Sequence, residues 1–214
     1  MAAKPAKNRK HNERMTQAER TALSDKRMFE AAINLRNERG TQKTTLKEIG
    51  ELAGYSRGLA NYRFGSKDGL LQELFTRFDL RWKEHLGSYV KDHSGIEAIM
   101  AAAEALRDFL KLEPQYMRAM YILWYESLGH DSEIRSRLAD HHDVYRRDAA
   151  AWVEQGIASG DIDPEVDAQQ FAVQYNAFIF GLVYQWLVKA DAIDLDVLFD
   201  DYESNIEKIL ARRK

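Results

Sequence analysis

The residues of this chain with the clearest chemical potential lie between Thr44 and Leu71. Within that stretch Arg57, Asn61, Tyr62 and Arg63 crowd into one short segment. An arginine can pair bidentately with guanine and an asparagine with adenine, each good pair giving about 1–3 kcal/mol of discrimination between bases. Gly58 leaves room for a backbone to approach, and Leu59 is the one large aliphatic residue among them. Lys67 stands at the start of the next expected helix, where its charge and the helix amides together favour a phosphate. The same segment also reads as an ordinary helical hairpin with a solvated charged face. Residue types and geometry alone leave both readings open.

Side chains read a groove only if the elements beneath them are fixed, and the flanking sequence supplies the means. Thr45 followed by Glu48 is a capping box, in which hydroxyl and carboxylate each satisfy an amide at a helix start. Leu46, Ile49, Leu52 and Ala53 then form one apolar face, and Gly54 can take the left-handed conformation that closes so short a helix. Ser56 caps a second short helix, Arg57 to Arg63, with Tyr55 and Ala60 at staple positions. Ser66 caps a long helix through Leu70, Leu71, Leu74, Phe75, Phe78 and Trp82. Upstream, Leu23, Met28, Ala31, Ala32 and Leu35 predict a helix from about Ala18 to Arg39, with Gly40 as its stop. Two short helices about a glycine-containing turn make a helix-turn-helix.

Charge is distributed accordingly. The net charge of the 214 residues is −3, but residues 1–70 hold 15 Lys/Arg against 8 Asp/Glu and the remainder 16 against 26. A basic head on an acidic body predicts that one end meets a polyanion. Residues 1–17, with Lys4, Lys7, Arg9, Lys10 and Arg14, read as a disordered basic arm. With 45% apolar residues, 3 prolines and 12 glycines, a helical core is expected rather than a loop-rich β fold. Cysteine is absent, which excludes disulfides and thiolate chemistry and fits a reducing cytoplasm. No N-terminal apolar stretch reads as a signal peptide.

The run from Thr44 to Leu71 resembles the DNA-binding signature of the TetR family, through the spacing of Ile49, Ala53-Gly54, Ser56, Gly58, Phe64, Lys67 and Leu70-Leu71. Three departures stand out: Asn61 where a tyrosine is usual, with Tyr62 beside it, Gly50 for alanine and Tyr55 for valine. The resemblance implies an all-α homodimer of about nine helices per subunit. Its three-helix N-terminal domain (18–66) binds operator DNA, and its helical body (67–214) dimerises and senses a small molecule. Ser56 to Arg63 would then enter the major groove, while Thr44, Thr45 and Lys67 would hold phosphates, Tyr62 replacing the usual aromatic contact. Repression relieved by an effector is the default activity of such a protein. An effector-independent dimeric regulator, or a helical small-molecule-binding protein with a vestigial head, are the alternatives.

In the body, polar breaks fall at about His93–Gly95, Glu113-Pro114, Gly129–Ser132, Ser159–Pro164 and Ala190–Asp194. Asp163 before Pro164 predicts an N-cap with proline at the first helical position. The acidic run Asp161, Asp163, Glu165, Asp167 lacks the glycine and terminal glutamate of a calcium loop. His141 and His142 diverge by about 100° on a helix, so no shared metal site is expected. Ala168 to Val188 carries no charge over 21 positions, but its glutamines and flanks argue for a dimer-forming helix rather than a membrane span. A last helix is expected over about Leu195 to Leu210. Met120, Trp124, Tyr125, Tyr145, Trp152, Tyr175 and Phe178 are the candidate lining of an effector cavity. No charged pair there points to a carboxylate or an amine, so a largely apolar or aromatic effector is expected. No catalytic motif is present, and neither an enzyme nor a cofactor is called for.

Overall fold

The computed structural model describes residues 15–129 and 133–211. Among these residues nine α-helices and one 3-10 turn (Ala190–Ala192) make up the regular structure, with no strand. The head consists of α1 (Gln17–Arg39), α2 (Leu46–Leu52) and α3 (Arg57–Phe64); α4 (Lys67–Val90) leads from it into the body. The body adds α5 (Gly95–Leu112), α6 (Pro114–Ser127), α7 (Glu133–Ser159), α8 (Ala168–Val188) and α9 (Leu195–Leu210). The expected basic arm lies mostly outside the described residues; of its last three, Thr16 already caps α1 and Gln17 belongs to it.

Local chemistry explains the helix ends. Thr16 with Glu19 and Thr45 with Glu48 form reciprocal capping boxes, and Ser56 and Ser66 cap α3 and α4. Gly54 has φ +80°, the left-handed region where a side chain would be strained; it turns the chain between α2 and α3. Gly50 serves a different need. A Cβ there would lie 3.1 Å from the Ser56 carbonyl oxygen, and the Gly50 carbonyl accepts from the Tyr55 amide at 2.7 Å. The glycine therefore lets the turn close tightly over α2.

The head and the cavity-facing helices share one apolar core, from Met28, Leu35 and Ile49 through Leu74 and Phe78 to Phe109 and Phe199. A second cluster about Val153, Ile162, Phe171, Tyr175 and Ile206 ties α7, α8 and α9 at the far end. Helix α8 packs along α7 and turns Phe171, Ala172, Tyr175, Leu182, Val183 and Leu187 inward. It is long and apolar enough to cross a membrane, and 33% of its most apolar stretch is buried in the subunit. Val173, Tyr184 and Val188 stand exposed, and their spacing of 11 and 4 residues puts them on one side of the helix.

The expected cap at Asp163-Pro164 is corrected. Helix α8 starts at Ala168, capped by Asp167, whose side chain accepts from the Gln169 and Gln170 amides. Asp163 instead donates its own amide to the Leu210 carbonyl at 3.0 Å and accepts from the Glu165 amide at 2.9 Å. A tertiary tie to the end of α9 holds residues 163–167 as a turn, and the helix waits for the next aspartate.

Candidate functional site

Two regions stand out, an outward helix face on the head and a cavity in the body. Helix α3 buries Ala60 alone. Ser56, Arg57, Gly58, Asn61 and Tyr62 are exposed, and Tyr62 is 85% exposed, a large ring held in water with no apolar cover. Leu59 leans the other way and packs against the head core. Ser56 spends its hydroxyl on capping, accepting from the Leu59 amide at 3.2 Å.

The outer residues of the expected set are engaged within the protein. Arg63 Nε donates to Asp25 Oδ1 at 2.8 Å, and its Nη2 donates to the other oxygen of the same carboxylate. Asp25 is 6% exposed, and Arg77 Nη2 stands 3.8 Å from it. This pairing fastens α3 to α1 and holds the Arg63 guanidinium above its ordinary pKa, the hydrogen bond to Asp25 being the main cause. Thr44 is buried and donates its hydroxyl to the Gly40 carbonyl at 2.9 Å. Thr45 is exposed, its hydroxyl donating to Glu48 Oε2 at 2.8 Å. Lys67 lies in the first turn of α4, its Nζ 3.3 Å from the Gln42 carbonyl.

The cavity is built by helix faces from five elements. Helix α4 contributes Phe78, Trp82 and Leu86, four residues apart, and α5 contributes Ala102 and Leu106. Helix α6 adds Met117, Tyr121 and Trp124, and α7 adds Tyr145, Asp148 and Trp152. Helix α8 closes the far wall with Tyr175, Asn176, Ile179, Phe180 and Val183. All five sets follow helical spacing, so each helix turns one stripe inward. The space open to the centre of a water-sized sphere is about 70 Å³, against about 10–15 Å³ for one water. That is about half of the roughly 150 Å³ of an apolar cavity that accepts benzene, so a ring-sized ligand requires the walls to move apart.

Of the seven lining residues expected from sequence, Trp124, Tyr145, Trp152 and Tyr175 border this cavity. Three are corrected. Met120 is completely buried in the core behind the wall. Tyr125 faces outward with its ring 5.0 Å from that of Tyr184, and Phe178 stacks on Tyr202 at 3.5 Å. Sequence reasoning also missed Asp148, the one charged residue of the lining. Its place three residues after Tyr145 and four before Trp152 was the available signal.

Burial raises the Tyr121, Tyr145 and Tyr175 hydroxyls well above their ordinary pKa, keeping them neutral. The indole Nε1 groups of Trp82 and Trp124 are buried without a protein acceptor. His141 Nδ1 meets Asp79 at 3.0 Å behind Tyr145. His142 lies against Phe180 with ring centroids 4.7 Å apart and is pushed below its ordinary pKa by burial and by its neighbour His141.

The head is joined to the cavity through α6. Asn37 Nδ2 of α1 donates to the Gln115 carbonyl and side chain, both at 3.0 Å. Glu126 Oε1 accepts the Thr41 amide at 3.0 Å. Arg36, 2% exposed, has its pKa drawn down to about 10 by burial, against which the charge of Glu126 acts.

Comparison with known proteins extends these observations. Residues 29–74 match the model for bacterial regulatory proteins of the tetR family, and residues 95–211 match that for the C-terminal region of BetI-type transcriptional repressors. The HTH-type transcriptional regulator TtgR of Pseudomonas putida is 28% identical over 177 residues, 78% of this chain and 82% of that protein. SrpR of Pseudomonas putida, also an HTH-type transcriptional regulator, is 24% identical over 169 residues, 77% and 76% of the two chains. Among solved structures, a TetR transcriptional regulator from Chloroflexus aurantiacus superposes with a TM-score of 0.76 at 23% identity, covering 91% of this chain and 99% of its own. NalD of Pseudomonas aeruginosa, a secondary repressor of the MexAB-OprM multidrug efflux pump, gives 0.72 at 20% identity, with 91% and 100% covered.

Proposed function

This chain belongs to the TetR family of bacterial transcriptional regulators, and from that premise we propose that it is a cytoplasmic, homodimeric repressor released from a palindromic operator by a small molecule bound in the body cavity. It is a DNA-binding regulator and not an enzyme. The observation that carries the finer reading is helix α3, which buries Ala60 alone and turns Arg57, Gly58, Asn61 and Tyr62 to solvent. In this reading α3 enters the major groove, Arg57 and Asn61 reach base edges and Tyr62 meets the phosphate backbone. Arg63 sets the angle of α3 through Asp25. Lys67 and the Thr44-Thr45 segment approach the phosphates at the groove edge.

Dimerisation supplies the second recognition helix, one helical turn of DNA or about 34 Å away. The exposed Val173, Tyr184 and Val188 of α8, uncharged along the whole helix, offer the self-complementary apolar face that such an interface needs. Helix α6 lines the cavity with Tyr121 and Trp124 and touches α1 through Gln115 and Glu126. An effector that prefers the body arrangement with the heads apart would weaken operator binding, by about 1–3 kcal/mol in typical cases.

The test is selection of duplexes from a random DNA library by the purified protein at near-physiological salt. One enriched palindrome is the expected result. Enrichment of nothing, with only weak salt-labile binding, would overturn the regulator reading of the head.

A further inference from the structure

Half of the residues lining the cavity are aromatic, none is Lys, Arg or His, and one, Asp148, carries a charge. We propose that the effector is an organic monocation, a quaternary or protonated amine attached to an aromatic ring, seated among the rings with its charge beside Asp148. This rests on the reading of the cavity as an effector site.

Trp82, Tyr121, Trp124, Tyr145, Trp152 and Phe180 line the space, and the face of an aromatic ring carries the negative side of a quadrupole, which attracts cations and is the basis of aromatic cages for ammonium groups. The buried tyrosine hydroxyls stay neutral, so they neither compete as anions nor supply positive charge. Asp148 shares one side of α7 with Tyr145 and Trp152 and is 40% exposed at its side chain, so its carboxylate stands where cavity meets solvent. Arg147 reaches it only from outside, Nε to Oδ1 at 3.7 Å, and is itself 71% exposed. A cation entering the cavity can therefore take over the carboxylate without displacing a buried partner. An anion would have to pass Asp148 and would find no positive side chain in the lining to receive it, the indole N–H groups of Trp82 and Trp124 being buried. A neutral ring would gain the apolar contact alone.

The experiment uses the full-length protein and three probes of nearly equal shape: phenyltrimethylammonium, its neutral isostere tert-butylbenzene, and the anion benzenesulfonate. Binding is read from tryptophan fluorescence, to which Trp82, Trp124 and Trp152 in the wall respond. Phenyltrimethylammonium is expected to bind at least tenfold more tightly than tert-butylbenzene, and benzenesulfonate weakest. Asp148→Asn should bring the cation to within threefold of the neutral probe and leave the neutral probe unchanged. Arg147→Ala, which removes the competing outside cation, should tighten the cation severalfold and gives an independent check should Asp148→Asn fold poorly. Tighter binding of the neutral or the anionic probe, or a cation preference that survives Asp148→Asn, overturns the proposal while leaving the cavity as an effector site. Failure of all three probes to bind overturns the effector-site reading itself, and this proposal with it.

Discussion

The pairing of Arg63 with Asp25 gives the sharpest prediction. From residue type Arg63 belongs with the base-reading side chains, whereas the structure engages its guanidinium with a carboxylate on α1. Replacing Arg63 by alanine strands a carboxylate that is 6% exposed. Hydrogen bonds to charged groups contribute about 1.5–3 kcal/mol net. Two features lower that figure: the Arg63 side chain is 34% exposed, and Arg77 Nη2 stands 3.8 Å from the same carboxylate. A loss of about 1–2 kcal/mol is therefore expected once solvent screening is allowed for. Asp25→Ala should cost less, because the freed arginine can turn to water. Urea unfolding of both single variants and the double variant gives the coupling between them, expected at about 1 kcal/mol. Operator affinity, measured on the selected palindrome, should fall by a similar factor in both single variants, since each loosens α3 from α1. If Arg63→Ala abolishes operator binding with an unchanged urea midpoint while Asp25→Ala binds normally, Arg63 reads bases and its positioning role is refuted.

Four further outcomes follow from the same structure. Tyr62→Ala should weaken operator binding severalfold at unchanged thermal stability, since the ring touches nothing in the head that it would leave unfilled; a lowered Tm would contradict this. Glu126→Ala should destabilise the fold by about 1–3 kcal/mol, because it leaves the Thr41 amide without its acceptor and removes a charge that offsets the burial of Arg36, whereas Arg36→Met, which removes the buried charge itself, should cost less; the reverse order in urea would refute that role of Glu126. Val173→Glu should yield monomers in light scattering and abolish operator binding, and an intact dimer would move the interface off this face of α8. Burial raises the pKa of Tyr116, Tyr121, Tyr145 and Tyr175 above the ordinary value of 10.0, and that of Tyr202 to about 12. Their folded state holds protons that the unfolded state releases, so this contribution is complete below pH 10 and is lost as pH rises beyond it. Tyrosinate absorbance from these residues should appear together with unfolding; ionisation of all ten tyrosines near pH 10 with the fold intact would refute their burial.

What the sequence made legible is what short-range chemistry decides. A helix cap reaches only three residues along the chain, so the starts of α2, α3 and α4 could be placed from Thr45, Ser56 and Ser66, and the structure has those caps. The last helix, Leu195–Leu210, likewise has the expected ends. The family assignment drew on the same local spacing. Long-range partners were not legible. Nothing near Arg63 in sequence announces Asp25, 38 residues earlier. The cavity was half legible for a geometric reason. A stripe rich in large rings shows which helices could line a cavity, but neighbours such as Met120 and Tyr121 point about 100° apart, and only packing fixes which one faces in. On α6 the inward set is Met117, Tyr121 and Trp124; of the expected Met120, Trp124 and Tyr125, Trp124 belongs to that stripe and the other two fall to either side of it. Asp148 escaped notice because a single carboxylate on a charged helix looks like solvent-facing decoration until its neighbours are seen to be cavity walls.

Helix α4 begins at Lys67, beside α3, and carries Trp82 in the cavity wall 15 residues later. At 1.5 Å per residue the two points are roughly 22 Å apart along one stiff rod. A tilt of about 5° about the cavity end swings the Lys67 end by roughly 2 Å on such a rod. Two subunits related by a twofold axis would swing in opposite senses, changing the separation of their recognition helices by up to roughly 4 Å against a groove repeat of about 34 Å. The mechanical advantage lies in the length of the rod, so in the proposed dimer a small displacement of the cavity walls would put both heads out of step with the DNA.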